Sequence, residues 1–330
     1  RLQGDWSSDV CSSDLAVAGD LPNRPRPLRL SSLPGDNRAA GGGLLHRAPP
    51  EALFLVSAAA QYSGAVIAIN LFDETSPSAV AVVRVAAAAV ILLAVPRRGT
   101  HAPWTRHDLG WAALFGIATS LMNLFFYIGI ERLPLGKGVT IEFIGPVAVA
   151  AARTRNRRNL LALVLVTLGV TVLGGVELGS EPLGLLFILL ASAMWAGYVV
   201  LGSRVALADR GVAGLGTGLV FGALVIAPFG AADVADAART PHIIFLAALV
   251  GLLSSAIGYG IDQSTLRRIP VRRFSVMLAL LPVTAFVFGM IFLGQTPTVV
   301  DLVGAVLVLT GVAVQDREVI ERHPRDIEPT

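Results

Sequence analysis

Two stretches of the 330-residue chain, "ERLPLGKGVTIEFIGPVAV" at 131–149 and "RRIPVRRFSVMLALLPVTA" at 267–285, can be laid over each other without a gap. Pro134 and Pro146 stand twelve apart, as do Pro270 and Pro282. Upstream in the same register, Asn123 falls opposite Tyr259, Tyr127 opposite Gln263 and Arg132 opposite Arg268. The chain reads as two copies of one unit.

Outward from these stretches, the residues are too apolar for a water-soluble domain. Hydrophobic types make up 54% and charged types 15% of the chain, and the apolar residues come in long runs. About twenty such residues cross a bilayer as a helix. From Ala52 onward the chain supplies ten runs, near 52–71, 77–95, 109–130, 135–152, 159–176, 183–203, 211–230, 242–264, 273–292 and 297–315. The expected fold is therefore an all-α integral membrane protein of ten transmembrane helices. Its two five-helix units would be 51–176 and 177–315, followed by a cytoplasmic tail at 316–330. Because five is odd, the two copies would insert in opposite orientations, and an inverted repeat is a transporter signature.

Charge in the connections agrees with that count. With the first helix starting inside, sixteen basic residues fall on the inner side: Arg97, Arg98, Arg106, Arg153, Arg155, Arg157, Arg158, Arg204, Arg210, Arg267, Arg268, Arg272, Arg273, Arg317, Arg322 and Arg325. The outward connections hold only Arg132, Lys137 and Arg239. Basic residues favour the cytoplasmic side, so both termini are expected there. The arginine run "RTRNRR" reads as a topology determinant, and nucleic-acid binding is not expected.

The beginning of the chain reads differently. Trp6–Leu15 can be written back into the codons of a common sequencing adapter, so residues 1–15 are expected to be an artefact rather than protein. Dropping them removes one Arg, three Asp and the chain's one cysteine, Cys11, and moves the formal charge from +3 to +5. Disulfides, zinc thiolate sites and cysteine nucleophiles then have no ligand. Residues 16–50, rich in Pro, Gly and Arg, are expected to be disordered or a mis-called start.

At this point the residues resemble a known family. "SLMNLFFYIGIERLPLGKGVTIEFIGPVAVA" and "RRIPVRRFSVMLALLPVTAFVFGMIFLGQTPT" are similar to the third and fourth, and the eighth to tenth, helices of bacterial threonine and homoserine exporters. These belong to the EamA-type drug/metabolite transporter superfamily. The resemblance spans Ala52 to Gln315. It implies a secondary exporter of small amino acids in the bacterial inner membrane, working by alternating access. The alternatives are an exporter of another metabolite or drug on the same fold, or a non-transporting membrane scaffold. Gln295 stands where the family often has Glu after "FLG", and Asp262 where Glu is expected.

Glu142, in "VTIEFIGP", is the leading candidate for the chemistry. A charged side chain at bilayer depth costs about 2.5–3.5 kcal/mol, so it normally faces a polar cavity or a partner. Pro146, four residues on, lacks an amide hydrogen and so frees the carbonyl of residue 142. One position thus offers a carboxylate and an open carbonyl to an ammonium group or a proton; Pro282 is the matching helix break in the second copy. The bland alternative is a structural ion pair with Arg84. Arg84 itself has three readings: contact with a substrate carboxylate, pairing with Glu142, or reaching for lipid headgroups.

Asn123 and Tyr127 lie one helical turn apart on one face, and Tyr259 and Gln263 repeat that face. They are expected to line a shared cavity or to bond between helices. Gln61, Tyr62, Trp195 and Tyr198 sit mid-helix in the first helix of each copy, as ligand contacts or as packing. Gly214, Gly218 and Gly222 are four apart and predict a close helix crossing rather than a phosphate loop. The histidines, His46, His101, His107, His242 and His323, have no metal spacing, and neither a catalytic triad nor a nucleotide motif is legible. No cofactor and no enzymatic activity are expected.

Overall fold

The computed structural model describes residues 49–95, 104–153, 156–207, 211–261 and 280–314. Among these every regular element is helical: α1 (Pro50–Leu71), α2 (Pro77–Ala94), α3 (Arg106–Ile130), α4 (Leu135–Glu142), α5 (Ile144–Arg153), α6 (Arg157–Ser180), α7 (Pro182–Leu207), α8 (Gly211–Ala237), α9 (Pro241–Val250), α10 (Leu280–Leu293) and α11 (Val299–Val314). α9 runs directly into a π-helical segment, Gly251–Gly258. Residues 1–48 and 315–330, and with them the artefact, the disordered segment and the tail, lie outside the described residues, as do Asp262, Gln263 and Arg273.

Six of the described segments are long and apolar enough to cross a membrane: Ala52–Leu71, Pro77–Ala94, Arg106–Ile130, Pro182–Leu201, Gly214–Ala237 and Pro241–Ile261. Leu281–Leu293 and Val299–Val314 are shorter apolar helices. Large apolar side chains such as Val90, Leu224, Phe245 and Ile291 stand exposed along them, as a lipid-facing surface requires.

Polar residues set the helix starts. Ser76 accepts from the amide of Ala79 ahead of α2, with Pro77 at the first helical position. Thr105 and Asp108 form a reciprocal capping box for α3, and Asn156 accepts from the amide of Asn159 at the start of α6. The α10–α11 turn passes through Gly294 at φ +62°, a conformation that favours glycine.

The expected run 135–152 carries a break close to Pro146, the residue read as its helix break. It is broken at Phe143 into α4 and α5, three residues before Pro146. α8 extends beyond the expected end at 230 to Ala237, with Pro228 inside it. α3 packs on α7 and α8, α2 on α8, α6 on α11, α1 on the π-helical segment and α4 on α10. The glycine seam is real: a Cβ on Gly218 would run into Ala112 and Gly116, and one on Gly222 into Gly116 and Ser120, so α8 crosses α3 backbone to backbone.

Candidate substrate site

Glu142 ends α4 at the helix break and is only 8% exposed. Among the described residues no hydrogen bond or ion pair engages its carboxylate. Arg84, in the middle of α2 and 5% exposed, makes no ion pair with it, so the alternative reading of a structural pair is not realised.

The Arg84 side chain is held in place by neutral groups. Its Nε donates to Ser255 Oγ at 3.1 Å, and its Cζ sits 4.9 Å from the centre of the Tyr127 ring, a cation–π distance. The π-helical segment brings Ser254 and Ser255 to this point, and such segments frequently accompany functional sites. Gly251, at its start, leaves no room for a Cβ against the backbone of Arg84. Tyr127 is 1% exposed, and its hydroxyl has no hydrogen-bond partner among the described residues. An unpartnered buried hydroxyl is uncommon and calls for an explanation.

Asn123 and Tyr127 share the buried face of α3 as expected. Tyr259 Oη approaches Asn123 Oδ1 at 3.4 Å, so the two residues that match in the repeat register also meet in space, though at a long and weak distance. Gln61 belongs to the seam between α1 and the π-helical segment instead: its backbone carbonyl accepts from Ser254 Oγ at 2.9 Å, and its Nε2 donates to Ser57 Oγ at 3.1 Å. Ser57 in turn donates to the Gly258 carbonyl at 3.0 Å. Tyr62 packs on Phe288 and Tyr198 on Phe115. Trp195 meets Phe143 edge to face, ring centres 5.0 Å apart, directly over the helix break.

The carbonyl freed by Pro146 is not open. Ser192 Oγ, on α7, donates to the Glu142 carbonyl and accepts from the Gly145 amide, both at 2.8 Å. That corrects the expectation of a carbonyl available to a ligand and leaves the Glu142 carboxylate as the free group. Pro282 lies in the first turn of α10, and the residues that would show a break before it lie outside the described ones.

Lys137, expected in an outward connection, is buried in the first turn of α4. Its Nζ lies 2.9 Å from Asp301 Oδ1 on α11. Gln295, whose role the sequence left open, accepts from the amide of Leu135 at 2.9 Å and so satisfies one of the unpaired donors at the start of α4. Among the described residues no cluster of His, Cys, Asp and Glu is suited to a metal ion.

Glu142 is thus a buried carboxyl at a helix break, with no ion pair among the described residues. The model of the EamA-like transporter family matches residues 182–315. The threonine/homoserine exporter RhtA of Escherichia coli K12 is 34% identical over 277 residues, 80% of this chain and 92% of its own. This chain belongs to the EamA family. RhtA of Salmonella typhimurium LT2 is 32% identical over 283 residues, covering 84% of this chain and 94% of its own. The uncharacterized transporter YxxF of Bacillus subtilis is 23% identical, covering 64% and 70%. A protein of known crystal structure shares the fold with a TM-score of 0.51 at 16% identity, over 80% of this chain and 95% of its own. The EamA protein described here is thus a multi-pass membrane transporter.

Proposed function

We propose that the protein exports small amino acids, threonine and homoserine foremost, across the bacterial inner membrane by alternating access. The observation that carries the reading is the buried Glu142 carboxyl at the helix break, which no hydrogen bond or ion pair engages among the described residues, together with the buried Arg84 guanidinium, which is held by the neutral Ser255 hydroxyl and Tyr127 ring. A buried charge without a partner is strongly unfavourable. A zwitterion offers each of them what it lacks: its ammonium group goes to the Glu142 carboxylate, and its carboxylate goes to the free guanidinium edge of Arg84 and the unpartnered Tyr127 hydroxyl. The relatives that align over most of the chain are named threonine/homoserine exporters, which supports the same substrate class.

Ten helices in two inverted five-helix units, both termini cytoplasmic, are part of this proposal. The packing is compatible with exchange of the two units. Taking α4 with α5, and α9 with the π-helical segment, as single spans, the second, fourth and fifth spans of one unit each pack on their own counterparts. The third span of each unit packs on the first span of the other. The 3.4 Å approach of the register mates Asn123 and Tyr259 fits the same symmetry.

Counterflow of labelled threonine in proteoliposomes tests the reading. Threonine-loaded vesicles are expected to accumulate label, and vesicles loaded with an unrelated neutral solute are not. Equal accumulation under both conditions would remove the amino-acid assignment.

A further inference from the structure

The Lys137–Asp301 pair stands apart from the candidate site and joins two distant parts of the chain. Lys137 lies in the first turn of α4 and Asp301 in the first turn of α11, and their side chains are 8% and 7% exposed. Asp301 is itself fixed by a reciprocal capping box: its amide donates to Thr298 Oγ1 at 3.2 Å, and its Oδ2 accepts from the Thr298 amide at 2.9 Å. On the same end of α4, Leu135 donates its amide to Gln295 Oε1. Gly136 lies so close to the Phe286 ring of α10 that a Cβ would not fit. The start of α4 is thereby clamped to the α10–α11 hairpin by an ion pair, a hydrogen bond and a tight aromatic contact.

The clamp borders a cleft, and Glu142 stands at the far end of α4. A cleft of about 430 Å³ is lined by Asn70, Asp73, Glu131, Phe292 and Gln295, among others, so Gln295 belongs to both the cleft and the clamp. α4 is eight residues long and carries Lys137 near its start and Glu142 at its end, a rise of roughly 12 Å for the whole helix. An eight-residue helix that moves as one body carries Glu142 with the clamp.

We propose that Lys137 and Asp301, assisted by Gln295, are positioning residues of a gate that closes the path between Glu142 and this cleft. An ion pair suits the task. Paired in the interior it gains Coulomb energy and loses hydration; separated in an open, wet mouth it does the reverse, so the two states lie close in free energy. An apolar contact of the same volume has no such compensation and stays shut. The proposal rests on the transporter reading but not on the identity of the substrate.

The test uses the full chain, in lipid nanodiscs for labelling and in proteoliposomes for counterflow, with Cys11→Ser and, for labelling, a reporter, Leu135→Cys, at a position that is fully buried beside Gln295. Asp301→Asn keeps the shape and removes the charge. It is expected to raise the rate of labelling by a membrane-impermeant thiol reagent at least fivefold. The double variant Lys137→Met with Asp301→Leu is expected to fold, to label no faster than the parent, and to lose threonine counterflow at least tenfold, because its gate stays closed. A merely structural pair predicts full counterflow in that double variant. Either full counterflow there or unchanged labelling in Asp301→Asn overturns the gate. Labelling reads the gate without any substrate, so a failure of the threonine assignment is seen separately.

Discussion

Ser192 and Glu142, fifty residues apart, are joined at the one place where the fourth span cannot bond to itself: Ser192 Oγ donates to the Glu142 carbonyl and accepts from the Gly145 amide, each at 2.8 Å. The hydroxyl replaces the helical bonds lost around Pro146 and holds Glu142 in position with its carboxylate free. Ser192→Ala is expected to leave two buried backbone groups unpaired, at a loss of about 1–3 kcal/mol each. Thermal unfolding in detergent should fall by several degrees, with threonine counterflow falling alongside it. Unchanged values for both would show that the break holds itself.

Glu142→Gln separates a substrate site from a structural charge. Since Arg84 is held by Ser255 and the Tyr127 ring and makes no ion pair with Glu142, removing the acid leaves no hydrogen bond broken. The variant is expected to fold with the parent's thermal stability and to lose counterflow at least tenfold. Loss of folded protein that Arg84→Gln then restores would reinstate the structural pair.

How much of this was legible beforehand depends on the distance over which each residue acts. The spans follow from runs of apolar residues, a close helix crossing on α8 from glycines four apart, though not that its partner is α3, and the break in the fourth span from Pro146; each is a local pattern. The bond that fills the break comes from Ser192, a residue type common in apolar helices, and nothing near residue 142 announces it. Lys137 reads as an outward charge in the sequence because its partner, Asp301, lies 164 positions later in a different helix. The π-helical segment has no period of its own in "GLLSSAIG", yet it is what brings Ser255 to Arg84.

The crossing of α3 and α8 makes a sharp steric prediction. Gly218→Leu inserts four carbons where even a Cβ meets the Ala112 and Gly116 backbones, so the two helices must part. Folded protein in the membrane fraction is expected to fall at least tenfold, measured by size-exclusion chromatography after detergent extraction. Gly110→Ala, at a position with nothing within 4 Å of the added carbon, should leave the yield unchanged. A normal yield from Gly218→Leu would place the seam in lipid.

Orientation is checked by fusions. Under the proposed topology, reporters placed after Arg158 and after Gln315 are expected to behave as cytoplasmic, and one between Glu177 and Glu181 as external. An internal signal at the last site would remove the inverted pair of five-helix units, since an odd number of spans per unit is what turns the second copy over.

Arg84 supplies the most specific chemical prediction, because a guanidinium and an ammonium group differ in shape rather than in charge. Arg84→Lys keeps one positive charge but loses the planar fork and the stacking on Tyr127 that holds it. If the carboxylate of the substrate docks there, the half-saturating concentration of threonine for counterflow should rise at least tenfold, with folded protein unaffected. The amino alcohol threoninol, which keeps the ammonium group and the side-chain hydroxyl but has no carboxylate, should compete with labelled threonine poorly in the parent and equally poorly in Arg84→Lys. The two variants then read the two ends of one ligand: Glu142→Gln abolishes transport of threonine, whereas Arg84→Lys weakens it only to the extent that the carboxylate is used. A threoninol that competes as well as threonine in the parent would show that Arg84 does not bind the carboxylate.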